Sequence, residues 1–204
     1  MQKIMFNDSY GLTQAVIEGR KTMTRRLIPD EFFGLTWDTR GNTLVYENEY
    51  GDFIDVRLSK YTRYKDGEIV SVAQNYFSTY DESKWETGIW YNEFADGSDI
   101  TNHAGWINKM FVKAEYMPHQ IRITGIHCER LQDISDAECL KEGVRVEFAR
   151  NGSPMYYYFG TKRWREVWFD TPREAFAALI DMVSGRGTWA SNPWVVVYEF
   201  ELVK

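Results

Sequence analysis

The segment Trp194–Leu202 reads WVVVYEFEL. Every second residue from Trp194 onward is apolar, whereas the residues between them change from valine to glutamate along the segment. Successive side chains of a β-strand point to opposite faces of the sheet. The alternation therefore predicts a strand with one apolar face and a second face that becomes acidic toward its end.

Further strands are indicated on the N-terminal side of this segment by alternation and by turn residues. A bulge is expected at Gly125, where the alternation changes phase. The predicted strands are Thr43–Tyr46 and Asp52–Arg57, which form a hairpin, then Glu68–Ala73 and Ile121–Cys128.

Three short helices are predicted from capping residues and apolar spacing. Asp8 or Ser9 is expected to cap the first helix, which buries Leu12, Ala15 and Val16 and ends at Gly19. Capping boxes begin the other two helices at Ser135 and Thr171. The apolar face of the third helix is predicted to contain Ala175, Leu179 and Met182. Strands without a βαβ rhythm predict an α+β fold with a small, mainly β barrel.

Length and composition limit the function classes. The chain has 204 residues, 44% of them hydrophobic and 26% charged, which excludes a fibre or a disordered protein and suits a single domain spanning 1–204. The net charge of −6 argues against a protein that coats nucleic acid mainly by charge. Two cysteines, short apolar runs and no signal-peptide core predict a soluble, cytoplasmic protein without a membrane segment.

Two features of the composition have more than one interpretation. Aromatic residues make up 16% of the chain, and they either fill the core or form stacking platforms for bases. The segment Asp81–Asp99 is rich in acidic residues, which is typical of a solvated face, and the other interpretation is a surface that binds a protein partner.

Metal and cofactor motifs are missing from the sequence. His103, His119 and His127 are widely spaced, and the two cysteines, Cys128 and Cys139, do not form a Cys-x-x-Cys pair. The chain has neither a phosphate-binding glycine loop nor a nucleophile elbow. We therefore expect no metal site and no cofactor.

Positive charge is concentrated in Gly19–Arg26 (GRKTMTRR). Burial and neighbouring cations both disfavour a protonated lysine, so Lys21 is a candidate general base. A neutral lysine can accept the proton of a threonine hydroxyl and so activate it as a nucleophile. In a straight strand, however, Lys21 and Thr24 point to opposite faces, and their joint action requires a turn or bulge. The alternative is an exposed basic loop that binds phosphate or nothing.

The same octet resembles the signature that opens the ASCH domain, a PUA-like β-barrel family. Further blocks resemble phage and prophage members of that family and occur in the same order along the chain. They are Tyr64–Val72 (YKDGEIVSV), Met117–Pro118 followed by Arg122–Ile123, Glu129–Ser135 (ERLQDIS) followed by Glu142–Gly143, and Trp189–Val197 (WASNPWVVV). The resemblance implies a bacterial or prophage PUA-like barrel with insertions at about 31–60, 75–115 and 145–165.

The resemblance also implies a site. Some compact ASCH proteins are amidohydrolases that remove the acetyl group of N4-acetylcytidine with a lysine, a threonine and a glutamate. These residues correspond to Lys21 as base, Thr24 as nucleophile and Glu142, which orients Lys21 or the leaving amine. Other members are proposed RNA binders. The ligand-binding residues that we expect here are Arg20, Arg25, Arg26, Gln74, Tyr76 and Trp194.

This chain departs from the family patterns. It is longer than the compact enzymes, has Arg25 where they have an apolar residue, and has Gln74 where phage members usually have glutamate. The function we expect is recognition of a nucleoside or single-stranded RNA, with hydrolysis of an N4-acylated cytidine as a subsidiary hypothesis. The alternative is a non-catalytic protein-interaction module that uses the acidic segment Asp81–Asp99.

Overall fold

The computed structural model describes residues 1–28, 34–59, 62–79, 100–159 and 166–203. These ranges contain strands β1 Lys3–Ile4, β2 Met23–Leu27, β3 Thr36–Asp38, β4 Thr43–Glu47, β5 Phe53–Asp55, β6 Ile69–Val72, β7 Gln120–Arg130, β8 Arg145–Phe148, β9 Pro154–Phe159, β10 Glu166–Phe169 and β11 Trp194–Leu202. The α-helices are α1 Leu12–Ile17, α2 Tyr76–Thr79, α3 Asp136–Lys141, α4 Pro172–Ser184 and α5 Thr188–Ser191. The predicted α+β class with a mainly β core is confirmed.

The chain divides into two compact units. The first contains Met1–Phe6, Ile69–Arg122 and Leu202–Lys204, and the second contains Asn7–Glu68 and Ile123–Glu201. In the first unit, β1 runs parallel to β6, and β6 pairs antiparallel with the opening residues of β7. A separate apolar cluster in this unit is formed by Tyr76, Val112 and Met117.

The second unit holds most of the sheet structure. Strand β11 lies between β7 and β2, and it pairs antiparallel with β2. Two further antiparallel sheets have the orders β3-β4-β5 and β10-β9-β8. The core beneath β2 and β11 is closed by α3 and α4, and its buried residues are Met23, Leu131, Ile134, Cys139, Val144, Ala175, Phe176, Ile180, Val195 and Val197.

Local capping signals predict the helix starts well. Both capping boxes form: Ser135 with Glu138 begins α3, and Thr171 with Glu174 begins α4. The predicted hairpin is also confirmed by the pairing of β4 with β5. The expected cap of the first helix is wrong, because Asn7 caps a short 3-10 turn over Asp8–Tyr10 and α1 begins only after Gly11.

Other expectations are corrected by the packing. Five α-helices are described rather than about three, because α2 and α5 are four-residue turns, too short for apolar spacing to reveal them. Met182 is 54% exposed in the last turn of α4, and Phe176 occupies the buried face. Strand β11 is buried on both faces from Val195 to Tyr198, since α3 and α4 cover one face and Tyr64 packs on the other.

The predicted barrel is not found among the described residues. Strand β2 pairs with β11 alone there, and β1 pairs with β6 alone, so the strand orders are open. The predicted insertion 31–60 contains β3, β4 and β5, and β8 and β9 lie within 145–165. The acidic segment Asp81–Asp99 lies outside the described residues. None of the helices in the described ranges has the length and hydropathy needed to cross a membrane.

Candidate functional site

Lys21 lies in the turn between α1 and β2. Its backbone N–H and that of Arg20 both donate to the Ala15 carbonyl, at 2.9 Å each, and Gly19 allows the turn with φ +71°. Strand β2 begins only at Met23. The alternation of a straight strand therefore does not apply between Lys21 and Thr24.

The Lys21 ammonium is buried against the C-terminal end of α3. Its Nζ donates to Glu142 Oε2 at 2.5 Å, to the Glu142 carbonyl at 2.8 Å and to the Met23 carbonyl at 2.7 Å. The Lys21 side chain is 2% exposed. Gly143 ends the helix with φ +109°, and a Cβ there would lie 3.0 Å from Leu12 Cδ2. The positive φ and the close packing together favour glycine beside the ion pair.

Arg25 joins this pair to two more carboxylates. Its Nη1 donates to Glu142 Oε1 at 3.1 Å and its Nε donates to Glu129 Oε1 at 2.7 Å. Its Nη2 lies 3.5 Å from Glu138 Oε2. The Arg25 side chain is 1% exposed, so its guanidinium is occupied by glutamates of the chain itself.

Burial lowers the pKa of the Lys21 amine. The Glu142 carboxylate opposes this effect, whereas the positive charges of Arg26 and Arg25 add to it. Burial has the larger effect, because it removes the water that stabilises the charged form of the amine. The lowered pKa is the property that a general base requires.

Thr24 lies on the opposite face of the sheet from Arg25. In the pairing of β2 with β11, Thr24 is opposite Tyr198 and Arg25 is opposite Val197. Directly opposite residues share a face, and neighbours along a strand do not. Thr24 is buried beside Tyr198, and the exposed Arg26 follows it on the same face, opposite Val196.

Trp194 lies on the Thr24 face of β11 and belongs to a stacked group. Its ring is parallel to that of Trp37 within 5°, with centroids 5.7 Å apart. The Arg130 guanidinium carbon lies 4.2 Å from the Trp194 ring centroid. Arg130 is held near Trp194 because the next residue, Leu131, donates its N–H to the Pro193 carbonyl. We call Trp37, Trp194 and Arg130 the stacking group.

The remaining predicted residues have other surroundings. Gln74 and Tyr76 belong to the first compact unit. There the Gln74 side chain is 2.8 Å from His119 Nδ1, and Tyr76 is fully buried beside His103. Arg20 pairs with Glu18 at 2.5 Å and is one-third exposed.

Four residues that contact the predicted site residues were not predicted themselves: two belong to the stacking group, and two are carboxylate partners of Arg25. Trp37 and Arg130 contact Trp194 across long stretches of chain, and no local pattern relates them to it. Glu129 and Glu138 could have been suspected, because a buried arginine requires carboxylate partners. Sequence alone does not indicate which glutamates supply them.

No protein-family model, curated protein or solved structure matches this chain.

Proposed function

We propose that the chain recognises a nucleoside or a short segment of single-stranded RNA through the stacking group. The observation that carries the proposal is the partly exposed arrangement of two parallel tryptophan rings and a guanidinium. Aromatic faces and arginine planes are the groups on which proteins stack unpaired bases. The resemblance to the PUA-like ASCH family, some of whose members are proposed RNA binders, supports the same class of ligand.

The charges near the stacking group favour a small ligand. Arg130 is part of the group, and the exposed Arg26 lies on the same face, opposite Val196 and thus close to Trp194 along β11. Two arginines can contact few phosphates, and the net charge of −6 disfavours a long polyanion. We therefore expect binding to weaken only modestly with added salt. The slope of the logarithm of the binding constant against the logarithm of salt concentration follows the number of phosphates contacted.

The test is the binding of a fluorescein-labelled oligocytidylate and oligouridylate to the full chain, measured by anisotropy. Replacing a stacked aromatic costs about 1–3 kcal/mol per base, so we expect Trp37→Ala and Arg130→Ala to weaken binding by about 5- to 150-fold. Trp168→Ala is the matched control, because Trp168 and Trp37 are both 37% exposed and Trp168 packs on Tyr157 in another sheet. Equal losses in Trp168→Ala, or no binding by the wild type, would contradict the proposal.

Hydrolysis of an N4-acylated cytidine is a second candidate, and the buried Lys21–Glu142 pair favours it. In this mechanism a neutral Lys21 accepts the Thr24 hydroxyl proton, and the Thr24 oxygen attacks the acyl carbonyl. The C–N bond then breaks as the cytosine amine takes the proton back from Lys21. Water hydrolyses the acyl-threonine to the free acid, and Glu142 holds Lys21 in place throughout.

We expect cytidine release from N4-acetylcytidine to fall by about 10²–10⁴-fold in Lys21→Met, the usual effect of removing a general base. The wild-type rate should rise with pH through the lowered pKa of Lys21, because only the neutral amine accepts a proton. Thr24→Val should abolish release, whereas Thr22→Val, the matched threonine in the same segment, should not. No release by folded wild-type protein would exclude this activity and leave recognition as the function.

A protein partner remains the alternative to a nucleic-acid ligand, because the acidic segment Asp81–Asp99 resembles a charged interaction surface in the sequence. A partner that is captured by the full chain after nuclease treatment, with no oligonucleotide binding, would favour this alternative.

A further inference from the structure

His127 and Glu129 of β7 and Glu138 of α3 lie together in the second compact unit. One donor atom from each of these half-buried residues lies within 4.8 Å of the other two. His127 and Glu129 share a face because they are two positions apart on a strand, and Glu138 approaches from the first turn of the helix. An imidazole with two carboxylates is a donor set that suits Zn²⁺ and related transition metals.

We propose that His127, Glu129 and Glu138 bind a divalent transition-metal ion, with Zn²⁺ as the ion that the donor set fits best. His127 Nε2 lies 3.5 Å from Glu129 Oε2. Two ligands about 2.1 Å from a tetrahedral zinc ion are about 3.4 Å apart, so this pair already has the spacing of two zinc ligands. Three protein ligands leave a fourth position for water or a substrate atom.

Arg25 does not occupy the oxygen that the metal ion requires on Glu129. The Arg25 guanidinium contacts Glu129 Oε1, whereas Oε2 is the oxygen that faces His127. On Glu138, Ser135 and Arg25 both contact Oε2, which assigns the second oxygen of that carboxylate to the ion. Arg25 therefore holds both carboxylates in position from the side away from the metal ion.

The charges around the cluster favour a cation. The carboxylates of Glu129, Glu138 and Glu199 lie at or beside it, and the buried cation that contacts Glu129 and Glu138 is Arg25. A divalent ion neutralises the two surplus negative charges. His127 Nδ1 also lies 3.9 Å from Glu199 Oε1, and a carboxylate beside the second ring nitrogen is the usual outer partner of a metal-binding histidine.

This inference does not depend on the proposed function. The cluster contacts Arg25, which lies on the opposite face of the β2–β11 pair from Arg26 and the stacking group. The spacing of the histidines predicts no metal site, since spacing along the chain does not reveal a site assembled from a strand and a helix.

The test is titration of the EDTA-treated protein with Zn²⁺ by isothermal calorimetry, with Co²⁺ as a spectroscopic substitute. We expect one Zn²⁺ per chain and tetrahedral d–d absorption with Co²⁺. His127→Gln and Glu138→Gln should each weaken binding by at least about tenfold, because each removes a ligand. Glu174→Gln is the matched control, since Glu138 and Glu174 both complete capping boxes and only Glu138 is a ligand.

Three results would overturn the proposal. They are a stoichiometry well below one Zn²⁺ per chain, equal loss of affinity in Glu174→Gln, and a thiolate-to-cobalt charge-transfer band, which would assign the ion to Cys128 or Cys139. Circular dichroism of each variant verifies that the loss is not due to unfolding.

Discussion

Replacing Glu142 by glutamine will lower the free energy of unfolding by about 3–5 kcal/mol, the usual cost of breaking a buried ion pair by removing one partner. Glutamine keeps the shape of the side chain but removes the charge that compensates Lys21 and Arg25. Arg25 retains its contacts with Glu129 and Glu138. Most of the lost free energy therefore comes from Lys21, whose ammonium loses its carboxylate partner. The loss cannot exceed the free energy needed to remove the proton from an ordinary lysine at pH 7, which is about 4–5 kcal/mol, because Lys21 can become neutral instead of remaining charged and unpaired.

The loss should become smaller as pH rises. In the folded variant the pKa of Lys21 is lowered by burial, as in the wild type, but without an opposing carboxylate. The unfolded chain therefore binds more protons than the folded chain between the lowered pKa and the ordinary lysine pKa. Stability rises with pH wherever the unfolded state binds more protons, so Glu142→Gln should be least destabilised near the upper end of that range.

Urea unfolding followed by circular dichroism measures both effects. Arg57→Gln is the control, because the Arg57 side chain, which pairs with Asp55, is 38% exposed. Exposed ion pairs contribute about 0–1 kcal/mol to the free energy of unfolding. The double variant Lys21→Met with Glu142→Leu should recover much of the lost stability, since an apolar pair needs no compensating charge. A loss below about 1 kcal/mol in Glu142→Gln would show that the pair is not buried as described.

Phe176→Ala will lower the free energy of unfolding by a similar amount, about 3–5 kcal/mol. Phe176 is 2% exposed in the core beneath β2 and β11 and contacts the Trp189 ring edge-to-face at 6.1 Å. Truncation removes its buried surface and leaves a cavity that α4 closes only partly. Urea unfolding gives the stability change, and fluorescence reports the altered surroundings of tryptophan.

Met182→Ala on the same helix is the matched control. Met182 is 54% exposed, and surface substitutions usually change stability by less than about 0.5 kcal/mol. Equal losses in the two variants would contradict the assignment of Phe176 rather than Met182 to the core.

Local chemistry made several elements predictable. A capping box uses side chains three residues apart, so Ser135 and Thr171 predicted the starts of α3 and α4 without knowledge of their neighbours. Alternation predicted β11 in the same way. The helix end at Gly19 was predictable because it depends on backbone conformation within a few residues. It also predicted that the basic segment Gly19–Arg26, which contains Lys21, follows the first helix. The pairing of Lys21 with Glu142 was an expectation from the family resemblance rather than from any local pattern.

The sequence by itself determined the elements whose signals lie within one turn or one strand, together with the mainly β class. Only the tertiary structure decided which side chains share a face and a neighbourhood. It brought Trp37 and Arg130 to Trp194, brought Glu129 and Glu138 to Arg25, and assembled His127, Glu129 and Glu138. The physical reason is that strand register and helix packing are set by burial summed over the whole core, so contacts between distant residues leave no periodic trace in the chain.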